Sequence, residues 1–112
     1  MEPLDWNALK ENCAGDESLV QEVLELFRKE SAGLLGDIRT AVQSREPIAV
    51  KKTAHRLKGA LVSLGAGPST AAARELEKVG SEGDLSRVEA LFTTLEREMS
   101  RLMSTISVAN AA

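Results

Sequence analysis

Few side chains in this chain can do chemistry. Its 112 residues include one histidine, His55, and one cysteine, Cys13. A neutral imidazole is a nucleophile at physiological pH. Covalent catalysis by such a nucleophile is familiar, and phosphoryl groups are one electrophile it accepts. Lys58 and Gly59 follow His55 at three and four positions, the spacings that share one face of a helix. Lys58 can reach phosphoryl oxygens as a compact positive charge, and phosphoryl transfer needs chiefly positioning and charge neutralisation. Gly59 costs a helix about 1 kcal/mol relative to alanine, and its missing side chain leaves a second molecule room to come close to His55.

Charge marks the same place. The stretch from Arg45 to Lys58 carries five basic residues and one acid, a local balance of +4, while the rest of the chain carries −7. A basic patch on an acidic protein suits an anion or an acidic partner. The missing devices narrow the chemistry further. The sequence has no G-x-x-x-x-G-K-[ST] loop, no Gly-rich nucleotide loop and no acidic cluster suited to Mg²⁺. No ATP-dependent kinase activity is expected, and no cofactor. If His55 is phosphorylated, phosphate and metal must come with a partner protein. One His and one Cys do not make a zinc site, and a single Cys closes no internal disulfide.

These residues must be held by helices. No run alternates with period two, and no Asn-Gly or Asp-Gly hairpin signal occurs. Apolar residues instead recur at three and four. A short leading helix is expected from about Asp5 to Cys13. A second, capped by Asp16, carries Val20, Val23, Leu24, Phe27, Leu34, Leu35, Ile38 and Val42, and continues through Gly33 and Gly36 to about Ser44. A third opens at Pro47 and stops at Gly65-Ala66-Gly67. A fourth opens at Pro68, buries Ala72, Leu76 and Val79, and is ended by Gly80 and Gly83. The last, capped by Asp84 or by Ser86 in a capping-box pattern, buries Val88, Leu91, Phe92, Leu95, Met99, Leu102, Met103 and Ile106. Short connections make sequential helices antiparallel. The fold expected is all-α: one domain over residues 1–112, an up-down four-helix bundle with a short extra N-terminal helix, its core at about 4–106 and residues 107–112 frayed.

A helical wheel places the chemistry on this bundle. At about 100° per residue, Val50, Ala54, Leu57, Leu61 and Leu64 share the core side of the third helix and His55 points away from it. A lone histidine in a helix is usually a satisfied structural residue, but an outward one has no burial to satisfy. Around His55 lie Lys51, Lys52, Lys58 and Gly59, with Ile48 and Val62 above and below as apolar contacts for a visitor. Cys13 reads as a small buried residue and Trp6 as packing at the bundle end.

The stretch Ala54-His55-Arg56-Leu57-Lys58-Gly59, followed by Leu64-Gly65-Ala66, resembles the signature of histidine-containing phosphotransfer (Hpt) domains. Leu4-Asp5, Gly15-Asp16-Glu17, Ala73-Arg74-Glu75-Leu76-Glu77 and Glu82-Gly83-Asp84 fall where that family has similar segments, so the resemblance spans roughly Leu4 to Ile106. It implies a cytoplasmic phosphorelay module. His55 would accept the phosphoryl group through Nε2, Lys58 would steady it, and Gly59 would admit the partner. That partner would be the receiver domain of a response regulator or hybrid sensor kinase, bringing its own aspartate and Mg²⁺. The sequence departs from the pattern at Glu77, where some relatives place a Gln facing the phosphorylation site. A carboxylate accepts a hydrogen bond rather than donating one, and it would repel a phosphoryl group, so that role is not transferred to Glu77.

Two other readings stand beside this one: the phospho-accepting domain of a chemotaxis-type histidine kinase, and a non-catalytic helical adaptor. Mild acidity, with a pI near 5.2, speaks against a nucleic-acid binder. No apolar run of spanning length occurs and the start lacks a signal peptide's pattern, so no membrane contact is expected. One bundle buries all four apolar stripes, which makes a monomer the expectation.

Overall fold

Two aspartates open the first two helices. Asp5 Oδ1 accepts the Ala8 N–H at 3.1 Å, and Asp16 Oδ1 accepts that of Leu19 at 3.2 Å. Each bond satisfies a backbone donor that a helix start leaves without an intrahelical partner. In a computed structural model that describes residues 2–111, with side chains through residue 108, five helices follow. They are α1 (Trp6–Asn12), α2 (Glu17–Ser44), α3 (Pro47–Leu64), α4 (Gly67–Glu82) and α5 (Val88–Ala111). Replacing Asp16 by alanine is expected to cost about 1 kcal/mol, read as a fall of a few degrees in the thermal midpoint.

Each of the four long helices touches two neighbours, in the order α2, α3, α4, α5 and back to α2, which closes an antiparallel bundle about 41 Å long. The core is aliphatic. Val50, Ala54, Leu57, Leu61 and Leu64 of α3 are all buried, facing Leu24 and Ile38 of α2, Leu76 of α4, and Leu95, Leu102 and Ile106 of α5. Val23, Leu34, Leu35, Leu91 and Met103 lie half-buried at its edge. Cys13 is buried, and Trp6, the first residue of α1, packs partly buried against the core. Two ion pairs tie the α2–α5 seam, Arg39–Glu96 at 3.0 Å and Arg45–Glu89 at 2.5 Å. The Arg39 guanidinium also sits over the Phe92 ring, 5.6 Å from its centre.

Two expectations are corrected. Gly80 does not end α4; it lies buried inside the helix, which stops at Gly83. A Cβ at Gly80 would fall 2.7 Å from the Lys51 backbone nitrogen and 2.8 Å from the Pro47 carbonyl oxygen. The residue is glycine because α4 crosses the start of α3 backbone to backbone. Next, Ser86 is not the cap of α5. Its N–H donates to Asp84 Oδ1 at 3.0 Å within a turn, and the helix begins two residues later. Past Ile106, α5 is helical to Ala111. Buried Ile106 anchors it, and Ser107 to Ala111 hold no Gly or Pro to stop a helix whose extension is cheap once nucleated. Ala112 lies outside the described residues.

Gly65 positions the N-terminal helix. It ends α3 in the left-handed region at φ 76°, a conformation that disfavours side chains. A Cβ there would lie 3.0 Å from the Asp5 carbonyl oxygen, and the Asp5 N–H donates to the Gly65 carbonyl at 2.9 Å. The Asn12 side chain donates to the Ser63 carbonyl at 3.0 Å. Thus α1 is strapped across the end of α3.

Candidate functional site

His55 lies midway along α3 with its side chain 68% exposed. Its Nδ1 is 2.5 Å from Glu77 Oε2 on α4, and the other carboxylate oxygen, Oε1, is 2.5 Å from Lys58 Nζ. An ionised carboxylate only accepts hydrogen bonds, so this contact assigns the ring proton to Nδ1. In the neutral ring the lone pair then belongs to Nε2, on the edge facing away from Glu77. The ring is largely exposed, and one turn along α3 a Cβ at Gly59 would meet nothing within 4 Å.

Glu77 is mostly covered and Lys58 about one-quarter exposed, so their ion pair is less screened than a surface pair. The hydrogen bond from Lys58, joined by that from His55, holds the Glu77 carboxyl below the ordinary glutamate range against the opposing pull of burial. A carboxyl depressed on folding contributes stability that is fully present above its unfolded pKa and is lost as pH falls through its folded value. The wild-type chain should therefore lose more stability than Glu77→Gln on acidification below about pH 4.3, the ordinary glutamate value, as urea unfolding midpoints would read. Parallel midpoints for the two chains would contradict the pairing.

The expected site residues are brought together on one face. Lys51, Lys52, Arg56 and Glu77 line a shallow depression around His55. Ile48 and Val62, on the outward stripe of α3, are 68% and 53% exposed. Lys58 departs from expectation: its ammonium is engaged by Glu77 rather than held free for an incoming group. Arg56 counted only as patch charge in the sequence; it faces Asp37 of α2 at 3.7 Å. Glu77 is the residue beside His55 that sequence reasoning left without a role. Its signal was the register of the α3–α4 hairpin, for His55 and Glu77 are 22 positions apart, equally far on either side of Ala66. Among the described residues no group of three or more His, Cys, Asp or Glu could hold a metal ion.

The site is thus an exposed imidazole on a closed bundle, held through its inner nitrogen and flanked by Lys51, Lys52 and Arg56. The comparisons give the family. Residues 22–105 match the model of the Hpt domain, and the chain belongs to that family. It is a histidine phosphotransfer module of phosphorelay signalling. Among solved structures, the chain is similar to histidine-containing phosphotransfer protein B (HptB) from Pseudomonas aeruginosa PAO1. The two are 27% identical with a TM-score of 0.88, over 96% of this chain and 93% of that one. The Hpt domain of a sensor hybrid histidine kinase from Shewanella shares the fold, with TM-score 0.85 and 18% identity over 97% and 94% of the two chains. No curated protein matches the chain in sequence.

Proposed function

We propose that His55 accepts a phosphoryl group from the aspartyl phosphate of a receiver domain and passes it to the aspartate of another. The observation that carries this reading is the Glu77 bond to Nδ1, which leaves Nε2 as the free nucleophile on an exposed ring. The Nε2 lone pair forms the N–P bond while the P–O bond to the receiver aspartate breaks, and that aspartate leaves as carboxylate. The ring becomes cationic and keeps its proton on Nδ1, which donates a hydrogen bond to the Glu77 carboxylate. The Glu77 carboxylate is on the far edge of the ring from Nε2 and is neutralised by Lys58, which answers the repulsion expected from its charge. Lys58 is thus a positioning residue for Glu77, while Lys51, Lys52 and Arg56 set a positive potential for the incoming phosphoryl group. Gly59, Ile48 and Val62 give the receiver close access and apolar contact, and the receiver supplies Mg²⁺ from its own acidic site.

Among the described residues no helix is long and apolar enough to cross a membrane, which fits a cytoplasmic relay, and the closed bundle fits a monomer. The test is incubation of the chain with phosphorylated receiver domains and, separately, with an isolated histidine-kinase catalytic domain plus ATP. The proposal expects acid-labile phosphate, mapped by mass spectrometry to His55, in the receiver arm. Label only in the kinase arm would instead make this the phospho-accepting domain of a chemotaxis-type kinase, and label in neither would leave a helical adaptor.

A further inference from the structure

A groove of about 800 Å³ runs between α1 and the α3–α4 turn, outside the site described above. Leu4, Trp6, Ala8, Val62, Thr70 and Arg74 are among its walls. Two of these tie it to His55. Val62 lies two helical turns from His55 on the same outward stripe of α3, about 10 Å along the axis, and it lines the groove. Arg74 precedes Glu77 by one turn of α4; it lines the groove on one side and, with Lys51 and Glu77, a second depression on the other. The surface is therefore continuous from His55 across Arg74 and Val62 to Trp6.

Interface size decides what this continuity means. A standard interface covers about 800 Å² on each partner, which as a disc has a radius of roughly 16 Å. A globular partner centred on His55 would overrun Val62 and reach the mouth of the groove. There it would meet a half-buried tryptophan, the residue type that most often anchors interfaces. It would also meet Arg74, exposed and without an ion pair among the described residues.

We propose that the groove between α1 and the α3–α4 turn is a second anchor for the receiver domain, seating an apolar side chain of the receiver against Trp6 and Val62 while Arg74 faces one of its acidic residues. This rests on the phosphotransfer reading and adds that docking extends beyond the rim of His55. It also gives α1 a role, because the strap at Gly65 holds Trp6 where the receiver reaches it.

Trp6 is the sole tryptophan, so its emission reports on the groove. The full chain is titrated with tryptophan-free receiver domains selected because they phosphorylate it. Saturation should shift Trp6 emission to the blue, and Arg74→Glu should weaken receiver binding about tenfold while unfolding at an unchanged midpoint. The milder Arg74→Ala should weaken it less. Unchanged emission and unchanged affinity, with His55 still taking phosphoryl groups, would overturn the groove and leave the phosphotransfer reading standing. Failure of every receiver to phosphorylate the chain would overturn both. An emission shift that follows the chain's own concentration, with a dimer in sedimentation that Arg74→Glu disperses, would assign the groove to a second copy and overturn the proposal.

Discussion

A chain with alanine in place of Glu77 is expected to accept phosphoryl groups about ten- to hundredfold more slowly than wild type, while His55→Gln should accept none. The two losses differ in kind. His55 supplies the lone pair that forms the N–P bond, and glutamine has no equivalent nucleophile. Glu77 supplies no bond to phosphorus; its carboxylate accepts a hydrogen bond from Nδ1–H, with Nδ1 2.5 Å from Oε2, and so orients the ring. Without it the proton can sit on either nitrogen, and only one tautomer presents a lone pair at Nε2. Positive charge that develops on the ring during transfer also loses its acceptor. A hydrogen bond to a charged group contributes about 1.5–3 kcal/mol, and each 1.36 kcal/mol is tenfold in rate, which gives the range stated.

Glu77→Gln should fall between wild type and Glu77→Ala, because its amide oxygen still accepts from Nδ1 but carries no charge. Rapid-quench measurement of phosphohistidine formation would establish the order: wild type fastest, then Glu77→Gln, then Glu77→Ala, then His55→Gln. Equal rates for wild type and Glu77→Ala would remove Glu77 from the mechanism. Lys58→Ala acts one step further out. It deprives Glu77 of the ammonium that most lowers its pKa, so its effect on rate should grow as pH falls.

What could be read from the sequence, and what could not, divides along a physical line. Periodicity reports which face of a helix is buried, so all five core residues of α3 and the outward position of His55 were legible from α3 alone. Contacts between helices need the register as well as the face. Glu77 looked like a misfit for a phosphorylation site when considered as a lone carboxylate. Its meaning comes from Lys58 and His55 meeting it from the neighbouring helix. Gly80 suffered from the same blindness. A glycine near the end of an apolar stripe signals a stop, and only the backbone of α3 lying against it shows otherwise.

Gly80→Ala is expected to destabilise the fold by about 1–3 kcal/mol, the usual cost of overpacking, although alanine in a helix interior ordinarily gains about 1 kcal/mol over glycine. The sign turns on what the new methyl would meet. Its three nearest neighbours are backbone atoms, the Lys51 nitrogen at 2.7 Å, the Pro47 oxygen at 2.8 Å and the Lys51 Cα at 3.0 Å. Backbone within a helix cannot rotate aside as a side chain can, so α3 and α4 must move apart. Gly59→Ala provides the contrast, because its methyl would enter open space and the propensity gain should survive as a small increase in stability. Thermal unfolding of the two variants should therefore move the midpoint in opposite directions. The consequence of Gly80→Ala reaches function, since the packing it disturbs also carries the Glu77 bonds to His55 and Lys58. Separation at Gly80 should slow phosphoryl uptake under conditions where the chain remains folded, whereas unaltered uptake with a lowered midpoint would show that the pair tolerates the displacement.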